Sequence, residues 1–254
     1  MRILLTNDDG YRAESIKGLF KVLTARGYDV VMIAPELNSS GAAQSISVYA
    51  PISITQVAKK MYFVSGTPAD SIRLGLQVVY AKLKSYPDLV ISGVNMGENI
   101  GEDVLYSGTL GAAREGTLHG IPSLAFSTPG PQYKNMSAAA RIVVDLVTRL
   151  DNNRQILATP FIWNVNIPNK PYNLITGYEA TELGTRKMHE PLEKQITPRG
   201  HTIYWQGVSG GPQRGAPLGT DIDVFLKQEK VSITPLEVLP TDYNQLPIIT
   251  ALTI

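Results

Sequence analysis

The residues with the clearest chemical potential lie in Thr6–Gly10 (TNDDG), directly after the apolar run Ile3–Leu5. In open α/β folds ligands bind in the crevice beyond the carboxyl ends of the strands, where this segment is predicted to emerge. Two adjacent carboxylates raise each other's pKa, and a bound cation removes that cost. Asp8 and Asp9 are therefore candidate metal ligands. The alternative is a tight turn in which one aspartate only caps the next helix.

Three further polar segments are predicted to reach the same edge of a sheet: Asn38–Gly41, Gly93–Asn99 and Ser107–Thr109. With the acidic pair they offer hard oxygen donors, which suit Mg²⁺, Mn²⁺ or Ca²⁺. Ser107–Thr109 also opens a predicted helix, whose first N–H groups bind anions. A divalent cation beside an anion cradle predicts phosphoester hydrolysis, with the metal activating a water and polarising the phosphoryl group. The alternative for Ser107 is a simple helix N-cap.

The elements that must position these residues alternate between strand and helix signals in the first two thirds of the chain. The predicted strands are Arg2–Thr6, Asp29–Ala34, Pro51–Thr55, Lys60–Val64, Leu89–Ser92, Ile121–Ser127 and Phe161–Ile167. The predicted helices cover Ile16–Leu23, with Gly27 just beyond the end, Thr67 to about Leu83, Ser107–Leu118 and Ser137–Leu150. Repeated β-α units of this kind predict a Rossmann-like α/β fold with a doubly wound, mostly parallel sheet.

The remainder of the chain has a different pattern. Residues 1–168 are predicted to form the α/β core with the metal and phosphate site, and residues 169–254 an irregular, β-rich C-terminal extension. From Asn169 to Ile233 the β-type runs are scattered and no strong helix is predicted. Gly207–Thr220, with five glycines and two prolines, is predicted to be an exposed loop or arm.

Composition excludes several classes of protein. The 254-residue chain has no cysteine, which excludes disulfides, thiolate nucleophiles and cysteine-ligated zinc. Its net charge of +1, with no basic block, argues against a nucleic-acid polymer as partner. No apolar run approaches the ~18 residues of a membrane span, so no membrane partner is expected. No signal peptide is recognised, and the absence of cysteine fits a reducing compartment, so we expect a cytoplasmic location.

An ordered set of motifs through most of the chain resembles the survival protein SurE family. These are metal-dependent nucleotidases, acid phosphatases that act on nucleoside 5′- and 3′-monophosphates. The matching segments are Arg2–Gly10, Ala34-Pro35 with Ser40-Gly41, Gly66–Asp70, Val90–Asn95, Tyr106–Thr109, Pro198–Gly200, Tyr204-Trp205 and Val231–Leu236. One departure is Glu229-Lys230, where family members commonly have a Gly-Tyr pair.

The resemblance implies a set of site residues. One divalent cation, expected to be Mg²⁺ or Mn²⁺, is held by Asp8, Asp9, Ser40 and Asn95. Ser39 is the alternative to Ser40. The phosphate contacts implied are Ser107, Gly108 and Thr109. The resemblance also implies a homodimer or homotetramer in which C-terminal segments reach across to a neighbour.

The leading hypothesis is a metal-dependent phosphomonoesterase that hydrolyses nucleoside 5′- and 3′-monophosphates to nucleoside and phosphate by a metal-activated water. Asp8 is the candidate catalytic residue, as a group that orients or deprotonates the water or attacks phosphorus directly. Other phosphomonoesters and short polyphosphate are further candidate substrates. The base preference and the native metal stay open, as do roles for His189 and His201.

Three alternatives were weighed against this hypothesis. A non-enzymatic, receiver-like protein that binds metal and a phospho-ligand needs a third aspartate after a central strand, where this chain has Asn95. A phosphoaspartate phosphatase needs an acid at position 10, which is Gly10. A dinucleotide-binding module needs a Gly-x-Gly-x-x-Gly motif after the first strand, and none is present.

Overall fold

The alternating strands and helices build a central sheet of nine strands that is mostly parallel. We describe it from a computed structural model, which covers residues 1–130, 133–186, 192–205 and 216–252. The strands are β1 (Arg2–Thr6), β2 (Asp29–Pro35), β3 (Ile54–Ala58), β4 (Met61–Val64), β5 (Leu89–Met96), β6 (Ser123–Thr128), β7 (Ile162–Asn166), β8 (Tyr178–Ala180), β9 (Glu193–Ile196), β10 (Thr202–Trp205) and β11 (Val231–Leu236). The sheet order is β3-β4-β2-β1-β5-β6-β7-β11-β8, and β9 pairs with β10 in a separate antiparallel hairpin.

Helices cover both faces of this sheet. The helices of the described residues are α1 (Glu14–Ala25), α2 (Pro68–Leu74), α3 (Ala81–Leu83), α4 (Gly108–Leu118), α5 (Met136–Asn152), α6 (Asp221–Leu226) and the fully exposed α7 (Leu246–Leu252). A π-helical segment, Gly75–Tyr80, joins α2 to α3. The apolar residues of α1 and α5 share one buried cluster, and α2 packs with α4 in the other layer. The predicted doubly wound α/β fold is therefore confirmed.

The strand order places the candidate site at a topological switch point. From β1 the chain moves outward to β2 and then β4, and it returns to the other side of β1 to form β5. β1 is thus parallel to both neighbours, with Ile3 opposite Val30 on one side and Leu89 on the other. Ligands in such folds bind in the crevice where the order reverses. Here that crevice lies beyond the carboxyl ends of β1 and β5.

Local sequence signals explain several boundaries. The Thr67 side chain accepts a hydrogen bond from the Asp70 N–H (3.1 Å), and Asp70 reaches back to the Thr67 N–H (3.0 Å). This capping box, with Pro68 at the first helical position, is the predicted start of α2. β5 runs to Met96, beyond the predicted end at Ser92, because it continues through a bulge.

The C-terminal segment contributes β8 and β11 to the central sheet, β11 antiparallel to β7 and parallel to β8. It also contains α6 and α7, two short helices that the sequence pattern did not predict. Most of the predicted Gly207–Thr220 loop lies outside the described residues. Glu229 adopts a left-handed backbone (φ +54°) and forms an ion pair with Lys170. Among the described residues, every helix is too short or too polar to traverse a bilayer.

Candidate active site

The turn after β1 is fixed by its own residues. The buried Asn7 side chain accepts a hydrogen bond from the Gly10 N–H (3.2 Å) and donates one to the Gly10 carbonyl (3.1 Å). Gly10 takes a positive φ of +97°, which L side chains rarely adopt, and its backbone lies against that of Leu37. Asn7 and Gly10 therefore close the turn and leave Asp8 and Asp9 at the strand end.

Asp8 is held against the first turn of α4. Its carboxylate accepts hydrogen bonds from the Thr109 hydroxyl (2.7 Å) and the Thr109 N–H (3.1 Å), and its carbonyl accepts the Ser39 N–H (2.7 Å). Asp8 is only 2% exposed. Burial raises the pKa of Asp8 above its usual value, although the Thr109 hydrogen bonds favour the ionised form. Asp8 is therefore oriented and has little freedom to move.

Asp9 is the more exposed carboxylate of the pair. Its Oδ2 atom is buried without a hydrogen-bond partner among the described residues. Burial and the neighbouring Asp8 charge raise the pKa of Asp9 to about 6, while an interaction with the Met96 N–H lowers it. A buried, unpartnered carboxylate oxygen is costly. The ionised form of Asp9 is therefore unfavourable by itself, and a bound cation would stabilise it.

A bulge in β5 determines where Asn95 lies. The pairing with β6 shifts between Ser92 and Asn95, and Gly93 in the bulge has a φ of +124°. A Cβ at Gly93 would come within 2.3 Å of the Phe126 carbonyl oxygen, so only glycine fits. The Asn95 Nδ2 donates to the Gly97 carbonyl (2.8 Å). Within the described ranges the Asn95 amide oxygen accepts no hydrogen bond, so it is available as a ligand.

The two candidate serines on the loop after β2 differ in their contacts. The Ser39 hydroxyl donates to the Leu37 carbonyl (3.3 Å). In the part of the chain that the structure describes, the exposed Ser40 hydroxyl makes no hydrogen bond, and its N–H donates to Asn38 (2.9 Å). Ser40 thus has the freer hydroxyl, while Ser39 makes the backbone contact with Asp8.

Gly108 allows α4 to approach the acidic pair. A Cβ there would lie 3.0 Å from the Asp8 Cβ and 3.1 Å from the Ser39 carbonyl oxygen. Ser107 caps α4, since its side-chain oxygen accepts the Leu110 N–H (3.1 Å). The first amides of a helix have no partner within the helix. Both Thr109 donors are directed to Asp8, so the Gly108 amide is the one best placed to meet an anion.

The predicted residues are only partly joined by direct contacts. Asp8 contacts Thr109 and Ser39, and Asp9 interacts with Met96. Ser40 and Asn95 are each adjacent in sequence to a residue that contacts the acidic pair. The described residues include no group of three or more His, Cys, Asp or Glu side chains that could bind a metal. A metal here would be bound by two carboxylates and neutral oxygens, which is the hard donor set of Mg²⁺ or Mn²⁺.

A network of buried asparagines that contacts the loop after β5 was missed in the sequence analysis. The Asn99 carbonyl accepts hydrogen bonds from Asn164 (2.7 Å) and Asn166 (3.0 Å), and its side chain donates to the Ser127 hydroxyl (2.7 Å). The signal was present in the sequence, because Asn164 and Asn166 alternate on a predicted strand and so share one face. This network fixes the loop that leads from Asn95 to Ser107.

The described histidines, His119 and His201, and Tyr106 form no hydrogen bond or ion pair with Asp8 or Asp9. His119 is the C-cap of α4, and its Nε2 lies 3.3 Å from Glu115. His201 is exposed in the β9–β10 turn, and His189 lies outside the described residues. The side chain of Tyr106, next to the helix start at Ser107, is 55% exposed. None of the described histidines contacts the candidate site.

Comparison with known proteins places this geometry in a family. The model of the family described as "Survival protein SurE" matches residues 3–190. Proteins named 5′-nucleotidase SurE from Nitrosomonas europaea and Nitrosomonas eutropha are 46% and 45% identical over 246 residues, which cover 97% of this chain and 96% of each relative. The same-named protein of Coxiella burnetii is 42% identical, over 96% of this chain and 92% of its own.

A solved structure agrees over the whole chain. The crystal structure of the SurE protein from Aquifex aeolicus superposes with a TM-score of 0.85 at 37% sequence identity, and the alignment covers 100% of both chains. The similarity therefore includes the C-terminal segment.

Proposed function

This chain belongs to the survival protein SurE family and is a phosphomonoesterase of nucleotides, and we propose that it hydrolyses nucleoside 5′- and 3′-monophosphates in the crevice beyond β1 and β5. The observation that carries the assignment of the site is the contact between Asp8 and Thr109. This contact brings the acidic pair, which a cation would stabilise, next to the start of α4, whose free N–H groups can bind an anion.

We propose that one divalent cation, Mg²⁺ or Mn²⁺, binds to Asp8, Asp9, Ser40 and Asn95. Two observations support this site: Asp9 Oδ2 has no hydrogen-bond partner in the described parts of the chain, and the two carboxylates repel each other. When bound, such an ion supplies Lewis-acid polarisation of the phosphoryl group and lowers the pKa of a water.

The chain's own residues supply orientation and charge stabilisation. Asp8 is the catalytic carboxylate of this proposal, and its two hydrogen bonds from Thr109, which hold it in one orientation, support that role. Ser107 and Gly108 offer the start of α4 to the phosphoryl oxygens, and pre-set N–H donors stabilise the charge that develops there. The role of Thr109 toward phosphate itself stays a prediction.

The test is release of phosphate from 5′-AMP and 3′-AMP with Mg²⁺ or Mn²⁺, with and without a chelator. We expect metal-dependent release that Asp8→Asn reduces by at least about 10³-fold, in the range found for loss of an essential catalytic group. Asp29→Asn is the matched control, because Asp29 lies at the opposite end of the sheet in an ion pair with Lys60. Wild-type turnover in a folded Asp8→Asn variant would sink the assignment.

The remaining parts of the proposal concern assembly and location. We propose a homodimer or homotetramer whose contacts involve the C-terminal segment, because its β9–β10 hairpin and α7 expose apolar side chains. The exposed apolar residues are Ile196, Ile203, Tyr204, Trp205, Leu246, Ile248, Ile249 and Leu252. A cytoplasmic location and activity on other phosphomonoesters or short polyphosphate are also proposed. No observation favours the receiver-like alternative.

A further inference from the structure

Arg186, in the C-terminal segment, is buried among carboxylates of the loop that connects β5 to α4, which we call the connecting loop (residues 97–106). The Arg186 guanidinium forms an ion pair with Asp103 and lies 3.4 Å from Glu98, and the Arg186 backbone N–H donates to the Glu102 carboxylate (2.6 Å). Only 9% of the Arg186 side chain is exposed. A buried guanidinium is tolerated only when it is paired, so these carboxylates and the arginine depend on each other.

The connecting loop joins the two halves of the candidate site. At one end the Asp103 carbonyl accepts the Ser107 N–H (3.1 Å), immediately before the start of α4. At the other end Asn95 donates to the Gly97 carbonyl (2.8 Å), the residue before Glu98. Of the two carboxylates that pair with the guanidinium, Asp103 therefore lies near the phosphate side of the site and Glu98 near the metal side.

A second contact fixes the same loop to the same segment. The fully buried Asp221 carboxylate accepts the N–H groups of Gly101 (2.9 Å), Gly184 (2.7 Å) and Ile222 (2.8 Å). Gly101 has a φ of +54°, and a Cβ there would come within 2.9 Å of the Gly184 carbonyl oxygen. The backbone of the C-terminal segment thus lies directly against the connecting loop, and this contact brings Arg186 to its partners.

We propose that Arg186 is a positioning residue for phosphate-ester hydrolysis. Through Asp103 it fixes the Ser107 amide and the start of α4, and through Glu98 it fixes the end of β5 that carries Asn95. This inference rests on the proposed function, which it deepens by making the C-terminal segment part of the active-site framework. Arginine suits the role because its planar fork reaches two carboxylates at once, whereas the lysine ammonium is a single point charge.

The test compares Arg186→Gln and Arg186→Lys with the wild type in kcat, in KM for AMP and in the inhibition constant of inorganic phosphate, at saturating Mg²⁺ or Mn²⁺. A misplacement of substrate or site residues by about 1 Å can lower the reaction rate by up to about 10²-fold. We expect Arg186→Gln to weaken phosphate inhibition and raise KM by about tenfold or more, and Arg186→Lys to recover part of the loss. A purely structural role would lower Tm and leave the KM and the phosphate inhibition constant of the folded fraction unchanged.

Arg149→Gln is the matched control, because Arg149 pairs with Asp145 on the far helix α5 and is mostly exposed. If Arg186→Gln does not fold, Glu98→Gln removes one partner and keeps the side-chain volume, and we expect it to raise KM and the phosphate inhibition constant in the same direction. Wild-type values in a folded Arg186→Gln variant, or in Glu98→Gln if that variant replaces it, would overturn the positioning role. Absence of phosphate release by the wild type would instead contradict the proposed function.

Discussion

At the scale of single residues, the two aspartates of the acidic pair differ in burial and in hydrogen bonding. Asp8 is buried and held by Thr109, whereas Asp9 is more exposed and has an oxygen with no hydrogen-bond partner among the described residues. Hydrogen bonds already orient and stabilise the ionised form of Asp8. The ionised form of Asp9 lacks them, so a bound cation stabilises it more. We therefore expect Asp9 to control metal affinity more strongly than Asp8 does.

The pKa of Asp9, about 6 without metal, predicts how metal binding depends on pH. Below that pH a proton competes with the metal, so affinity for Mg²⁺ or Mn²⁺ should fall by up to about tenfold per pH unit. Titration calorimetry between pH 5 and pH 7.5 measures this. Asp9→Asn serves as the control, with weak binding that lacks the part of the pH dependence that Asp9 contributes. Equal wild-type affinity at pH 5 and pH 7 would contradict the prediction.

The same pKa has a consequence for stability without metal. Since the folded-state pKa of Asp9 is raised above 3.8, protonation stabilises the fold, and that contribution is lost as pH rises through about 6. Metal relieves the cost of the charged form. Added metal should therefore raise Tm more at pH 7 than at pH 5.

At the scale of elements, the site depends on how closely α4 approaches the turn after β1. That approach is possible because α4 begins with a glycine, and because the loop after β2 lies against the same helix. A Cβ at Gly111, one turn later, would come within 1.9 Å of the Ala43 carbonyl oxygen. The helix start is thus packed on two sides by loops, and small residues there set the distances within the site.

Gly108→Ala tests this packing. The added methyl lies 3.0 Å from the Asp8 Cβ and 3.1 Å from the Ser39 carbonyl oxygen, so Asp8 must shift. We expect a loss of about 1 kcal/mol in the free energy of unfolding from overpacking and at least about a tenfold loss of kcat/KM. Chemical denaturation and AMP hydrolysis measure the two effects.

Gly18→Ala is the matched control for that substitution. Gly18 lies inside α1 with nothing within 4 Å of a Cβ, so alanine should stabilise the protein by about 0.5 to 1 kcal/mol and leave activity unchanged. Full activity of a folded Gly108→Ala variant would show that the close approach of α4 is not required.

At the scale of the whole molecule, the C-terminal segment extends the sheet and also presents an exposed apolar surface. β11 pairs with β7, while the β9–β10 hairpin stands apart from the sheet. Tyr204 and Trp205 on β10 are each more than half exposed. As consecutive strand residues they lie on opposite faces of the hairpin, and large exposed apolar side chains favour association with another chain. The hairpin is therefore the part of the described chain best suited to contact another copy.

Substitution of Trp205 tests the proposed assembly. We expect Trp205→Ser to shift the protein toward smaller species in sedimentation at micromolar concentration, because a buried aromatic anchor carries much of an interface's energy. Trp163→Phe is the control, since Trp163 lies within β7, stacked on Phe161, and should not change the oligomeric state. A wild type that is monomeric at all concentrations would contradict the proposed dimer or tetramer.

Local sequence determined much of this protein. The buried run of β1, the capping box at Thr67 and the glycine beyond α1 each follow from the preferences of neighbouring residues, so the alternation of strands and helices was predictable. The acidic pair, the Asn95 loop and the Ser107 segment could be assigned to one edge because parallel strands end together. The sequence therefore predicted which segments lie near the site.

Only the tertiary structure decided which groups meet. Thr109 contacts Asp8 across 101 positions of the chain, and Arg186 reaches Asp103 across 83. Such contacts depend on sheet order, on the β5 bulge and on glycines that permit close backbone approach. None of these is a local preference, because long-range partners are selected by packing and by the need to pair buried polar groups. The sequence therefore indicated the chemistry, and the fold determined how its residues are held.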